Sequence, residues 1–379
     1  MSKCILISGA GVAGLTAAIW LGRHGLRPVV VEQAPDVRAD GYIISLSHRS
    51  YRYASALGLL DEIRERGAGI VASSYQRAGG RPLLELDYRR LFAGVDVLQI
   101  MRDDLQQILY GHARDLAEFR FGTSIAQIAA GGANAAVTFA DGRCEDYDAV
   151  IGADGAHSIV RDLAFESNAV ELRHLGLCCA AFRLPNFLGM QHKFETHMER
   201  NRYMVIFTTP QNGLAAVFVW ATDLTSTPPA NARRDTLLKA FADTAPLTRT
   251  VLEYCPPLDP FYMDLLVQVR MRQWHRGPAV LVGDAAHCMT LISGQGATAA
   301  FTGACVLAEQ LVAQSPAAAF AAYSADLGAT IRDVQDRTVA AARWYVPRAH
   351  WRQWARDAAM AVLPSRVFEQ HFQSKYSRA

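Results

Sequence analysis

The 379-residue chain lacks the marks of several protein classes. Its seven cysteines are an odd set without CxxC spacing, so neither a disulfide framework nor a zinc ribbon is indicated. The adjacent Cys178 and Cys179 read as small strand residues, and free thiols fit a reducing cytoplasm. With 38 basic and 36 acidic residues the formal charge is only +2, which gives no general attraction to nucleic acid. No apolar run reaches the length of a membrane span. The N-terminus passes from Lys3 directly into a strand run and a glycine turn, unlike a secretory signal. A GxSxG nucleophile elbow is absent, which argues against hydrolysis. His192 and His197 flank Glu195, but no third ligand accompanies them and no metal is expected. There is no internal repeat and no Pro/Gly/Ser-rich linker, so one large discontinuous domain with a smaller one is the natural division.

What the chain does have is three glycine-bearing stretches, each after a strand-forming run. Ile5, Leu6 and Ile7 precede Gly9-Ala10-Gly11-Val12-Ala13-Gly14, and Val12 to Gly25 reads as a helix with Leu15, Ala18, Ile19 and Leu21 on its packing face. Gly9 suits a tight turn, Gly11 a close backbone approach to a pyrophosphate, and Gly14 close packing of helix on strand. The free N–H groups and positive dipole end of that helix favour phosphate. A second strand, Pro28 to Val31, ends at Glu32, where a carboxylate accepts ribose hydroxyls and repels a 2′-phosphate.

The second stretch follows the buried run Ala149–Ala153: Asp154-Gly155-Ala156-His157-Ser158, ending in Arg161. Ser158 and Arg161 lie one helical turn apart, so both face one ligand or tie down the loop. The third follows Ala279–Val282: Gly283-Asp284, then Gly294-Gln295-Gly296 at the start of a helix reaching about Val312. In this order the three stretches indicate a single FAD in one discontinuous domain. Residues 71–98 alternate like strands, helix character returns over Asp103 to Ala117, and residues 172–270 have the texture of a separate sheet interrupted by Pro228-Pro229 and Pro256-Pro257. The last 50 residues read as helices.

On these motifs the chain, from the N-terminus to about residue 330, resembles the class A (single-component) FAD-dependent aromatic monooxygenases, the para-hydroxybenzoate hydroxylase-like family. The resemblance implies an α/β fold: a Rossmann-like, GR2-type FAD-binding domain over 1–71, 99–171 and 271–330, an inserted β-sheet substrate domain over 72–98 and 172–270, and C-terminal helices over 331–379. By that resemblance Gly9, Gly11, Val12, Ala13 and Gly14 hold the pyrophosphate and Glu32 the adenosine ribose. Arg38 lies over the AMP half, and Arg102 over the ribityl chain or pyrophosphate. Asp154 and Gly155 serve FAD and transient NADPH or NADH, Asp284 binds ribityl hydroxyls, and the Gly294, Gln295, Gly296 and Ala297 backbone meets the flavin ring. Three positions depart from the family pattern: Thr290 and Leu291 where proline is common, Thr298 where asparagine is, and Gly303 where aspartate is.

The implied reaction is NAD(P)H- and O2-dependent hydroxylation or epoxidation of an aromatic or other electron-rich lipophilic small molecule through a flavin C4a-hydroperoxide, as in secondary metabolism, with no metal. His48, Arg49, Tyr203 and Tyr262 are candidate bases by texture only, and His287 reads as a structural hydrogen-bonder. Phe182, Phe187, Phe194, Phe207, Phe218 and Trp220 are candidate cavity walls or plain core. A reductase or halogenase of the same superfamily, or a non-catalytic flavin-binding protein, stands as the alternative, although the halogenase WxWxIP signature is missing. From Arg332 the tail is basic, with Trp344, Trp351 and Trp354 among Arg343, Arg348, Arg352 and Arg356. It either rests on a membrane surface or packs across the two domains with its arginines solvated. A monomer or homodimer in the cytoplasm is expected.

Overall fold

The three glycine turns leave adjacent strands of one parallel sheet in a computed structural model that describes residues 2–36, 42–77, 80–130, 134–257 and 261–377. The six-stranded sheet runs His275–Arg276, Ala279–Leu281, Ala149–Gly152, Cys4–Ser8, Arg27–Glu32, Glu118–Phe121. Every pairing is parallel except that of the His275–Arg276 edge. The central strands are apolar throughout because helices cover both faces. Just past the strand ends the ladder continues: Gly9 N–H donates to the Val31 carbonyl (2.7 Å), Ala153 N–H to Ser8 (2.8 Å) and Val282 N–H to Gly152 (2.9 Å). All three turns therefore open on the carboxyl edge of the sheet, where ligands of open α/β sheets bind.

A seven-stranded sheet stands beside it, in the order Tyr262–Met271, Val170–Leu184, Leu214–Ala221, Arg202–Thr208, Lys193–Met198, Ala72–Arg77, Arg81–Asp87. Its pairings are antiparallel apart from Lys193–Met198 on Ala72–Arg77. The 15-residue strand Val170–Leu184 bulges between His174 and Cys178, where Gly176 takes φ +65°. The strand Val97–Met101 pairs with Ile43–Ser47 instead, so the expected boundary at 98/99 falls inside a strand that belongs to neither large sheet.

Two helices unread in the sequence, Ala230–Ala240 and Pro246–Glu253, cover the back of the seven-stranded sheet. Pro229 caps the first and Pro246 opens the second, positions where the missing N–H costs nothing. Of the proline pairs read as interruptions, Pro228-Pro229 leads into a helix and Pro256-Pro257 follows one. The helix Gly296–Ala313 is long and apolar enough to span a membrane, contrary to the sequence expectation, yet most of it is buried against Val12–Arg23 and the 30-residue helix Pro316–Tyr345. That last helix is tied through Gln335 to the seven-stranded sheet and to the end of the short helix Asp284–His287: its side-chain N–H groups reach the Val269 and Cys288 carbonyls at 2.8 and 3.1 Å while its backbone carbonyl accepts from Gln268. Cys178 and Cys179 point to opposite faces of their strand, into different apolar clusters, and are free thiols.

Candidate active site

Each glycine of the first turn answers a different constraint. Gly9 has φ +106°, a conformation that strains any other residue, and a Cβ there would press on the Ala153 carbonyl. A Cβ on Gly14 would overlap the Gly9 carbonyl and meet Ile7 Cγ2 at 3.2 Å. A Cβ on Gly11 would meet nothing within 4 Å, because Gly11 borders a cavity of about 390 Å³. Val12 and Ala13 line the same cavity, and the helix they begin has no side-chain cap, so its first N–H groups are left for a ligand. Glu32 lies just behind: its two carboxylate oxygens accept the Ala10 and Ala34 N–H groups at 2.9 Å each. A carboxylate offers about four acceptor sites, so two remain for ribose hydroxyls. Arg38 lies outside the described residues.

In the second stretch the side chains tie down the loop. Asp154 accepts from Ser158 Oγ at 2.5 Å and from the Val160 N–H at 3.0 Å, and Ser158 Oγ caps the next helix by accepting the Arg161 N–H. Burial pushes the Asp154 carboxyl pKa up. Its oxygens are thus engaged within the protein, and its neighbours Ala153, Gly155 and Ala156 border the cavity instead. The buried Arg161 guanidinium reaches the Ala285 carbonyl in the third stretch.

Asp284 opens onto the cavity opposite Arg102, the N-terminal residue of helix Arg102–Ala113. The bulk of protein around Asp284 raises its carboxyl pKa, and the Arg102 charge opposes the rise. Gly294, Gly296 and Ala297 line the cavity as well, at the N-terminus of Gly296–Ala313, a second helix with no side-chain cap. Gln295 is buried beneath them, its backbone N–H given to Ser293 Oγ at 3.1 Å. Two uncapped helix N-termini and one arginine therefore face a single cavity. This arrangement fits the pyrophosphate of a dinucleotide at one end and developing negative charge on a ring at the other.

The family departures have local reasons. Thr298 Oγ donates to the Ser45 carbonyl at 2.9 Å, tying this helix to the strand Ile43–Ser47. A Cβ at Gly303 would touch the buried Tyr323 Oη and Val282 Cγ2 at 3.4 Å, so a side chain larger than methyl would have to fit beside them. Thr290, on the cavity wall, is buried at φ +69° with a hydroxyl that has no partner among the described residues.

The cavity continues onto the seven-stranded sheet. Six tyrosines border it: Tyr42, Tyr75, Tyr88, Tyr203, Tyr262 and Tyr345. Tyr42 and Tyr262 approach to 5.5 Å between ring centroids, and Tyr203 and Tyr345 to 6.1 Å. Burial raises all four phenol pKa values, that of Tyr42 to about 12, so these hydroxyls stay protonated and act as donors. Tyr203 and Tyr262 are thus in place to bind an oxygen of a substrate but unsuited as bases near neutrality. His48 and Arg49 are not on the cavity wall, and Arg49 pairs with Asp326 at 2.8 Å.

Of the six candidate aromatic walls only Phe194 and Phe207 line the cavity, stacked at 5.6 Å. Phe182, Phe218 and Trp220 have the opposite strand phase and pack against the two back helices, while Phe187 stacks on Tyr254 at the surface.

The sequence reading missed the tyrosine set and one ion pair. His157 Nε2 lies 3.1 Å from Asp264 Oδ2, linking the second glycine stretch to the seven-stranded sheet at the cavity rim. The hydrogen bond to Asp264 raises the His157 pKa. Asp264 also accepts from Thr227 Oγ at 2.6 Å. His287 is buried between Trp274 and Tyr323, and burial lowers its pKa to about 4, so it stays neutral and structural.

Comparison with known proteins gives the family. Residues 3–338 match the family model described as FAD binding domain. A flavin-dependent monooxygenase of Legionella longbeachae serogroup 1 (strain NSW150) is 34% identical over 312 residues, 81% of this chain and 80% of that protein. The tetracycline destructase Tet(51) superposes with a TM-score of 0.83 at 27% identity, covering 98% of both chains. Klebsiella pneumoniae HpxO, solved with FAD and uric acid, has the same fold, with a TM-score of 0.85 at 21% identity over 99% of this chain and 96% of its own.

Proposed function

The chain belongs to the FAD binding domain family and is a flavin-dependent monooxygenase, and from that premise we propose that it uses NAD(P)H and O2 to hydroxylate a neutral, phenolic or enolic aromatic molecule seated among its tyrosines. Bound FAD supplies the redox chemistry, taking two electrons from the nicotinamide and allowing one oxygen atom of O2 to enter the substrate while the other leaves as water.

The protein's own residues bind, orient and exclude water. Uncapped N–H groups of Val12 and Ala13 and the Arg102 guanidinium would hold the pyrophosphate and ribityl regions, and Asp284 would accept from ribityl hydroxyls. The N-terminal end of Gly296–Ala313 favours electron density on the reduced ring. On the other side Phe194, Val205, Phe207 and Val217 form an apolar wall that keeps water from the reacting carbon. The protonated hydroxyls of Tyr203 and Tyr262 donate to a carbonyl or phenolic oxygen and so set which carbon is presented.

One observation carries the substrate class: among the described residues the charged side chains on the cavity wall are Arg102 and Asp284 at its FAD end and Asp264 at the rim of the sheet, where His157 and Thr227 already hold it, and the rest of the sheet side is aromatic, aliphatic and hydroxyl. A charged substrate would be buried there without a partner. The test is a panel of phenols, quinolones and polyketides screened for stimulation of NADPH and NADH oxidation. Tetracycline comes first, because a neighbour at 27% identity is a tetracycline destructase. Neutral aromatics should stimulate oxidation and their carboxylated analogues should not; the reverse order would refute the substrate class.

A further inference from the structure

The C-terminal helix His350–Val362 is amphipathic with both faces unusual. Its inward face is polar: Arg356 is fully buried, held to Asp357 at 2.7 Å and to the Tyr345 carbonyl at 3.0 Å, while Asp357 also pairs with Arg77 at 3.1 Å. Its outward face is apolar. Trp351, Trp354, Ala355, Ala358 and Val362 recur at helical spacing on one side, and Trp351, Trp354 and Val362 are 66%, 73% and 80% exposed. Leu363 continues the face at 44% exposure.

Beside this face lies a basic cleft. A cavity of about 290 Å³ between the bulge of Val170–Leu184 and the tail is bordered by Arg173, His174, Arg343, Arg348 and Arg352, with no carboxylate on its wall among the described residues and only the exposed Asp223, 3.8 Å from Arg348, nearby. Arg348 is fixed there by the Gly176 carbonyl at 3.1 Å. Arg352 joins the two features, because its guanidinium sits 5.2 Å over the Trp351 ring while bordering the cleft.

We propose that this surface docks the enzyme on an anionic membrane, with Trp351, Trp354 and Val362 entering the interfacial layer and the arginine cleft holding lipid phosphates. Exposed tryptophans beside arginines match the two halves of a headgroup region, one apolar and one anionic. A second copy of the chain fits worse, since a two-fold contact through this face would bring the arginine sets together. Docked this way, the enzyme meets a lipophilic substrate where it is concentrated.

The FAD-loaded full chain is sedimented with phosphatidylcholine vesicles with and without phosphatidylglycerol, at low and high salt. Binding should require the anionic lipid and fall with salt. Both Trp351→Ser/Trp354→Ser and Arg343→Gln/Arg352→Gln should weaken it by roughly tenfold or more, in keeping with the contribution of each cation near an anionic surface. Neither double variant should change the flavin spectrum or melting temperature, and wild-type tryptophan emission should shift to the blue on binding. No sedimentation with anionic vesicles would overturn the proposal. So would inorganic phosphate stabilising the protein through the arginines without vesicle binding, or a dimer in solution that dissociates in the tryptophan variant.

Discussion

The Arg161 guanidinium donates across 3.2 Å to the carbonyl of Ala285, 124 residues further along the chain, joining the segments that follow two neighbouring strands. Gly155 and Asp284, both on the cavity wall, take their relative position from this bond. Arg161→Met should keep the packing but leave the buried carbonyl unpaired, costing about 2 kcal/mol in stability. FAD affinity should fall with it, measured by fluorescence quenching. A variant with unchanged FAD affinity would show that the two turns hold their positions without the bridge.

Gly11 and Gly14 should separate binding from folding. Gly11→Ala adds a methyl that meets nothing in the protein and points where a pyrophosphate would pass, so the apo melting temperature stays put while FAD affinity drops by at least about tenfold. Gly14→Ala drives a methyl into the Gly9 carbonyl and should cost several kcal/mol before any ligand is added. Equal loss of stability in both would place the cofactor elsewhere.

Thr290, on the cavity wall, buries a hydroxyl without a partner among the described residues. Thr290→Val keeps the shape and the strained backbone but removes the unsatisfied group, so the apo protein should gain about 1 kcal/mol. Loss of apo stability in the valine variant would mean that the hydroxyl is already satisfied within the fold.

His287 sets an acid limit. Its folded pKa of about 4 lies below the ordinary histidine value of 6.5, so the native state binds fewer protons than the unfolded chain between these two values. Its contribution is present above pH 6.5 and is lost as pH falls toward 4, by roughly 3 kcal/mol at the limit. His287→Gln should have a flatter stability profile in that window, by denaturant unfolding at each pH. An unchanged slope would assign the acid sensitivity to other groups.

Much of the FAD half was legible because glycine reports backbone geometry directly: Gly9 needs its positive φ, Gly14 its lack of a Cβ, and both follow buried strand runs. The role of Asp154 was less legible, since a turn that binds a ligand and a turn that ties itself together use the same residues. The substrate half was mostly hidden. Its six tyrosines come from six separate segments, and no local pattern groups them. Strand alternation shows that residues 203, 205 and 207 share a face but not which face is the cavity, so Phe218 and Trp220 were as plausible as Val217. The proline pairs before Ala230–Ala240 and after Pro246–Glu253 hid two helices, because a residue that breaks a helix interior also stands at helix ends.

The most direct test of the account is turnover under isotopically labelled O2 with the best substrate from the panel, followed by mass spectrometry of the product. The account predicts one labelled oxygen atom per product molecule and one NAD(P)H consumed per product formed. Substrate-stimulated NAD(P)H consumption that yields a reduced, unlabelled product would contradict it.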